Sequence, residues 1–141
     1  MHESSPGNLN LLLCDFGAAK CDRLGLDGNH LPDGPFYDPT QGTERSPALD
    51  LFSLGSLFYT ILTGFWPYRQ SRGPFTDVEG MLNYTTWVDK LFSQQQFPAV
   101  ADLDCGHVIT GCWLKHYKSA NEVLESLEGC KSGNTEGHDP R

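Results

Sequence analysis

The chain has 141 residues, a formal net charge of −8 at pH 7, and 18 Leu against 5 Val and 2 Ile. This length suffices for one domain with a hydrophobic core, and the scarcity of β-branched residues favours helices over a β-sandwich or barrel. The negative charge, with no run of basic residues, argues against nucleic acid or an anionic membrane surface as a partner.

The cysteines and the N-terminal residues indicate the compartment. The 5 Cys contain no C-x-x-C pair and the 5 His no H-x-x-x-H pair, which disfavours a disulfide framework or a zinc site. The N-terminal residues lack the basic and apolar regions of a signal peptide. The apolar run at 48–62 is too short and too interrupted by polar residues to span a membrane. We therefore expect a cytoplasmic or nuclear protein with reduced thiols.

The first predicted element is a short strand that ends in a long loop. Residues 11–14 are apolar and predict a buried strand or its end, with Cys14 as a small core thiol. Asp15-Phe16-Gly17 follows directly. Seven Gly or Pro residues then occur between positions 18 and 45, which excludes a regular helix there. A loop of this length in a compact domain is typical of a functional segment.

A helix is predicted to follow this loop. Ser46 is a favoured N-cap residue, and Pro47 suits the first helical position. Residues 48–62 are mostly apolar on every face, so we expect this helix to be buried all round. Gly64 can end the helix, and Pro67 prevents its resumption.

Two more helices are predicted in the middle of the chain. Thr76 and Glu79 have the spacing of a capping box, and apolar residues recur at helical spacing from 81 to 92. Residues 93–102 read as a linker, and another helix is expected over 106–114.

The last predicted helix precedes a polar tail. Ser119 and Glu122 form a second capping-box pattern, followed by an apolar stripe. From position 129 onward the chain is polar, and we expect residues 129–141 to be a disordered tail.

Several motifs occur in an order that resembles one known family. Asp15-Phe16-Gly17 follows an apolar run, a Gly/Pro-rich loop comes next, and D-L-F-S-L-G begins at Asp50 inside the apolar helix. Cys112-Trp113 and then Lys118 come later. Together these pieces resemble the C-terminal lobe of a eukaryotic-type protein kinase domain, over about residues 9–128.

This resemblance implies a fold and a domain organisation. The fold would be mainly α, a kinase-like C-lobe in which a helical bundle carries a short β-strand before the D-F-G motif and a long activation-like loop. Residues 1–128 would be a partial kinase-like domain, with the activation segment at 15–45 and a buried central helix at 47–63.

The resemblance also implies a cofactor site at the D-F-G motif. Asp15 would bind the Mg²⁺ that accompanies ATP, because phosphoryl transfer requires charge neutralisation on the phosphates. Phe16 would pack beneath the lobe interface, and Gly17 would permit the backbone angles needed where the strand ends. A turn carboxylate that binds no metal is the alternative interpretation of Asp15.

Four further residues would have structural roles. Asp50 would brace the catalytic loop, although an acidic residue near a helix N-terminus is also favoured by the helix dipole. Gly55 closes the D-x-W-x-x-G-like motif, in which Phe52 replaces Trp, and Trp113 is expected to be a core anchor. Residues 37–40 resemble a degraded A-P-E motif. Lys118 stands roughly where the family has an Arg, and we expect it to pair with Asp38 or Glu44.

The departures from the family determine the expected activity. The sequence contains no H-R-D before Asp15, and the Gly-rich loop, V-A-I-K lysine and helix C glutamate of the N-terminal lobe are not present in it either. We expect part of a Ser/Thr kinase domain that uses Mg²⁺ and ATP only when complete, and no catalysis or cofactor in this chain alone. Its partner would be the missing N-lobe half or another protein.

The alternative is a pseudokinase-like protein-interaction module with no enzymatic activity. The degraded A-P-E segment favours this interpretation, since a pseudokinase tolerates such losses. A chain with no independent function is the third interpretation.

Overall fold

The structure is a computed structural model that describes residues 11–133, with side chains described up to residue 130. It divides into two units, Met1–His30 and Leu31–Arg141. In the first unit, strands β1 (Lys20–Cys21) and β2 (Leu26–Asp27) form an antiparallel hairpin in which Lys20 pairs with Asp27.

The hairpin is closed by glycines. A 3-10 turn over Asp22–Leu24 leads into Gly25, which has a positive φ of 63°. The N–H of Gly28 donates to the carbonyl of Ala19 at 3.1 Å. A Cβ at Gly28 would lie 2.2 Å from the carbonyl oxygen of Gly17, so only glycine fits this close approach.

The predicted strand at residues 11–14 is wrong. These residues belong to no strand, and Leu11, Leu12 and Leu13 are 94%, 89% and 85% exposed. Cys14 is exposed as well, rather than a core thiol. A strand needs a neighbour to pair its backbone groups and cover one face, and in the described part of this unit only β1 and β2 pair. Residues 9 and 10 of the apolar run lie outside the described residues.

The second unit is helical, so the expectation of a mainly α chain is confirmed at that level. Its helices are α1 (Pro47–Thr63), α2 (Val78–Ser93), α3 (Gly106–Trp113) and α4 (Ala120–Gly133). A 3-10 turn at Gly34–Phe36 precedes them. In the described range, 11–133, no helix has the length and apolar character needed to cross a membrane.

Helix α1 has the predicted ends but not the predicted burial. Pro47 is its first residue, and Gly64 ends it with a φ of 76° while donating to the carbonyl of Thr60 at 2.8 Å. Its early turns pack on α3 and on the 3-10 turn. Toward its C-terminus several apolar side chains are exposed: Leu57 44%, Ile61 68% and Leu62 45%. The expectation of burial all round is wrong because the described elements cover only part of the helix surface.

The main core forms where α1, α2 and α3 meet. It contains six buried residues: Phe52, Val88, Phe92, Val100, Ile109 and Trp113. Helix α2 begins one residue later than a Thr76 cap would require, because Asp77 is its N-cap. The carboxylate of Asp77 accepts from the N–H of Gly80 at 2.6 Å. A carboxylate cap also interacts favourably with the helix dipole.

Helix α4 confirms its predicted start and extends past its predicted end. The hydroxyl of Ser119 accepts from the N–H of Glu122 at 3.3 Å, and the Glu122 carboxylate accepts from the N–H of Lys118 at 2.7 Å. The helix continues to Gly133. The predicted tail at 129–141 therefore begins too early, and its remainder, 134–141, lies outside the described residues.

Candidate functional site

The D-F-G motif forms an exposed turn in the first unit. Asp15 has left-handed backbone angles, φ 63° and ψ 64°, and precedes a 3-10 turn over Phe16–Ala18. Phe16 is 64% exposed. The left-handed position of the motif is thus Asp15 and not Gly17, where a Cβ would only touch the Asp15 carboxylate at 3.7 Å. The positive φ expected to need a glycine thus lies two residues before Gly17, and the cofactor-binding roles of Asp15, Phe16 and Gly17 stay predictions.

The other acidic residues near Asp15 in the chain have partners of their own. Mg²⁺ prefers several oxygen ligands in octahedral geometry. Asp22 is paired with Lys20 at 3.2 Å, and the Asp27 carboxylate accepts from the N–H of Asn29 at 2.8 Å. Across the described positions, no cluster of three or more His, Cys, Asp or Glu side chains could hold a metal ion. The expected Mg²⁺-binding role of Asp15 stays a prediction.

The second unit holds a more elaborate polar arrangement, in which the loop before α1 is fastened to the helical core. The indole N–H of Trp113 donates to the hydroxyl of Ser56 at 2.9 Å, and that hydroxyl donates to the carbonyl of Pro35. All three residues are buried. The hydroxyl of Ser53, one helical turn earlier, contacts the carbonyl of Phe36. Buried polar groups are costly unless paired, so this chain of hydrogen bonds fixes the loop at one position on α1.

Gly55 lets α3 approach α1 closely enough for this arrangement. A Cβ at this position would lie 2.9 Å from the Cβ of Cys112 and 3.1 Å from Cδ1 of Trp113. Real side chains do not pack at such distances, so the two helices can contact here only at a glycine. The predicted structural residues Gly55 and Trp113 therefore meet in the structure.

A buried carboxylate lies at the far end of the fastened loop. Asp38 is 1% exposed, and its Oδ1 accepts from both the N–H and the hydroxyl of Thr40, at 2.9 and 2.7 Å. The ammonium of Lys115 lies 2.6 Å from Asp38 Oδ2, as an ion pair rather than a well-angled hydrogen bond, and donates to the Thr40 hydroxyl at 2.6 Å. These three residues are called the Asp38 cluster below.

The prediction that Lys118 pairs with Asp38 is wrong, because Lys115 occupies this position. Asp38 is one of the two acids predicted, but its cation is Lys115. Lys115 follows the C-cap of α3 with a positive φ of 60°. This backbone turn separates it from Lys118, which is exposed and uses its N–H to begin α4.

Asp50 lies apart from these contacts. Its side chain is exposed in the first turn of α1. This position is the one that the helix dipole favours for an acidic residue, independently of any catalytic loop.

Sequence reasoning missed the serines and Lys115 as site residues. Ser53 and Ser56 appeared only as interruptions of an apolar run. A polar residue in a helix predicted to be buried must find a partner, and that requirement was the available signal. Nothing in the local sequence distinguishes Lys115 from Lys118.

Comparison with models of known protein families, with curated proteins and with solved structures gives no match for this chain. The kinase resemblance therefore depends on the sequence motifs alone.

Proposed function

We propose that this chain is part of a protein-kinase-like domain, the C-lobe portion, and that by itself it binds a protein rather than transferring phosphate. The proposal is supported chiefly by the loop over residues 31–46, which joins the D-F-G unit to α1. Its hydrogen bonds to α1 and its ion pair with Lys115 hold it in one conformation. A rigid, polar loop on a helical core is a suitable surface for recognising an extended polypeptide.

The Asp38 cluster adds to this support. In the protein kinases that this sequence resembles, an acidic residue of the A-P-E segment pairs with a basic residue near the end of the C-lobe. Here Asp38 of the degraded segment pairs with Lys115, which follows α3. A lysine makes a single point contact where an arginine would make a bidentate one, so the pair constrains the loop with less directional precision.

The test of protein binding uses the exposed tip of this loop. Glu44→Arg reverses a charge on an exposed side chain and should leave the core intact. The matched control is Glu79→Arg, at the exposed start of α2. Each tagged full-length variant is cross-linked in the protein's own cells, and the captured chains are quantified. We expect one stoichiometric protein partner with the wild type and the control, and its loss with Glu44→Arg. Equal recovery with both variants would contradict the proposed role of the loop.

Nucleotide binding is tested by the melting temperature of the chain with and without Mg-ATP, and phosphotransfer is tested by the transfer of labelled phosphate from ATP. We expect no shift in melting temperature and no phosphate transfer for the purified chain, with Asp15→Asn behaving like the wild type. A saturable shift that Asp15→Asn abolishes would show that the chain binds nucleotide and would refute this part of the proposal.

The second candidate is a chain that works only as part of a complete Ser/Thr kinase domain. The observations in its favour are the exposed leucines at positions 11–13 and the exposed apolar residues of α1, because surfaces of this kind are usually covered by a partner. Intact mass spectrometry of the antibody-captured native protein distinguishes the two. A species near 15.6 kDa would favour the interaction module, and a much heavier chain would favour the kinase.

A further inference from the structure

The segment between α1 and α2 is locally cationic in an acidic protein. The whole chain carries 18 acidic against 10 basic residues. Positions 64–76 nevertheless contain two arginines, Arg69 and Arg72, and no Asp or Glu. Among the residues that the structure describes, neither guanidinium pairs with a carboxylate. No acidic side chain of this segment therefore competes for the two guanidinium groups.

Aromatic rings hold both guanidinium groups in place. The Cζ of Arg69 lies 4.0 Å from the ring centre of Phe75 and 5.5 Å from that of Trp66. The Cζ of Arg72 lies 4.8 Å from the ring centre of Phe65. Arg69 also donates to the carbonyl of Pro74 at 3.2 Å. Stacking uses the flat face of a guanidinium and leaves most of its N–H edge available, so the two groups are positioned in advance to bind an anion.

Both arginines line one cavity of about 390 Å³. The polar side chains of its wall are those of Thr60, Trp66, Ser71 and the two arginines. A Cβ at Gly64 would lie 3.0 Å from Nη2 of Arg72, so glycine leaves room for this guanidinium. A neighbouring cavity of about 440 Å³ shares Arg69 and Ser71. No carboxylate lines either cavity among the described residues. The two guanidinium groups therefore face this space without a carboxylate to compete for them.

We propose that this cavity binds a phosphate monoester carried on a side chain of a partner protein. A phosphate monoester has three terminal oxygens and nearly two negative charges, which matches two guanidinium groups better than the two oxygens and single charge of a carboxylate. The net charge of −8 repels polyanions such as nucleic acid, so an isolated phosphate on a neutral or basic segment is the better match. No residue of the loop at 31–46 lines this cavity, although Trp66 in its wall contacts Phe36 of that loop, with ring centres 5.7 Å apart. The proposal does not depend on the kinase resemblance.

The experiment measures binding of short fluorescent peptides to the full-length chain by anisotropy at low ionic strength. One peptide has a central phosphoserine among Ala and Lys residues, and matched peptides have Ser or Glu at that position. Inorganic phosphate and a single-stranded DNA oligonucleotide serve as competitors. The variants are Arg72→Gln and Arg72→Lys, because Arg72 is exposed and its loss should not affect folding. Arg23→Gln, in the hairpin unit, is the matched control.

We expect the phosphopeptide to bind at least about tenfold more tightly than the Ser and Glu peptides, since charge-assisted hydrogen bonds to two guanidinium groups are lost without phosphate. Arg72→Gln should remove most of this preference, Arg72→Lys should retain part of it, and Arg23→Gln should retain all of it. Binding should weaken as salt is added.

Three results would overturn the proposal. The first is equal affinity for the three peptides, and the second is a phosphopeptide affinity unchanged in Arg72→Gln with an unchanged circular dichroism spectrum. The third is displacement of the phosphopeptide by inorganic phosphate or DNA at concentrations equal to that of the peptide itself, which would assign the site to a free or polymeric anion.

Discussion

Lys115 and Asp38 form an ion pair of 2.6 Å that joins the end of α3 to the loop before α1. The carboxylate is almost fully buried, whereas the lysine side chain is 37% exposed. The lysine therefore remains in contact with water while it neutralises a charge that cannot reach solvent. We therefore expect the loss of Lys115 to lower the free energy of unfolding more than the loss of Lys118.

Lys115→Met should destabilise the chain by about 1–3 kcal/mol, because it leaves the buried Asp38 carboxylate without its cation. Lys118→Met is the matched control and should change the free energy of unfolding by less than about 0.5 kcal/mol, as usual for an exposed side chain. Urea denaturation measures both. Adding Asp38→Asn to Lys115→Met should recover part of the loss, and equal effects of the two lysine variants would contradict the assignment.

Gly55→Ala should destabilise the chain by about 1–3 kcal/mol, because the new methyl would collide with Cys112 and Trp113 at the α1–α3 contact. The helix propensity of Ala offsets up to about 1 kcal/mol of this cost. Gly129→Ala is the control: it lies in α4 with no atom within 4 Å of the added Cβ. We expect Gly129→Ala to be neutral or stabilising. An equal fall in the melting temperature of the two variants would show that α1 and α3 are not in close contact at Gly55.

Ser56→Ala should loosen the loop before α1. It removes the acceptor of the Trp113 indole and the donor to the Pro35 carbonyl, which leaves two buried groups unpaired at a cost of about 1–3 kcal/mol. Hydrogen exchange at residues 34–42 should speed up more in Ser56→Ala than in Thr63→Ala, whose hydroxyl caps the other end of α1. Unchanged exchange in this loop would argue against its attachment through Ser56.

Asp89→Asn should stabilise the chain at neutral pH. Burial raises the pKa of the Asp89 carboxyl in α2, and its Oδ1 is buried with no hydrogen-bond partner. A raised folded-state pKa favours the neutral form, so stability is lost as pH rises above the unfolded value of about 3.9. The melting temperature should therefore increase in Asp89→Asn at pH 7 and match the wild type near pH 3. Glu79→Gln, an exposed acid of the first turn of α2, should give no gain.

The thiols of Cys14 and Cys112 should react very differently. Cys14 is exposed, whereas Cys112 is 1% exposed and burial raises its pKa to about 11. With iodoacetamide at pH 8, mass spectrometry should find Cys14 alkylated first and Cys112 only after urea is added. In the folded chain the reagent cannot reach Cys112, and the raised pKa of this thiol leaves little reactive thiolate. In the Cys14→Ser variant the first alkylation event should be missing. Rapid labelling of Cys112 in the folded chain would contradict its place in the core.

The elements predicted correctly from the sequence depend on interactions between near neighbours. Pro47 and Gly64 determine the ends of α1 through backbone preferences of single residues, and Ser119 begins α4 by a hydrogen bond to Glu122. The abundance of Leu over Val and Ile likewise favours helices residue by residue. Such effects act within one helical turn, so a linear pattern contains them.

The failures concern contacts between distant parts of the chain. The strand predicted at residues 11–14 required a pairing partner, and apolar composition cannot specify one. The choice of Lys115 over Lys118 depends on a backbone turn after α3, and the hydroxyl it contacts is 75 positions away. The bond between Trp113 and Ser56 spans 57 positions. The sequence by itself determined where the helices of the second unit lie. Only the tertiary structure decided which of their faces are covered and which charges meet, because packing and ion pairing depend on distances in space rather than along the chain.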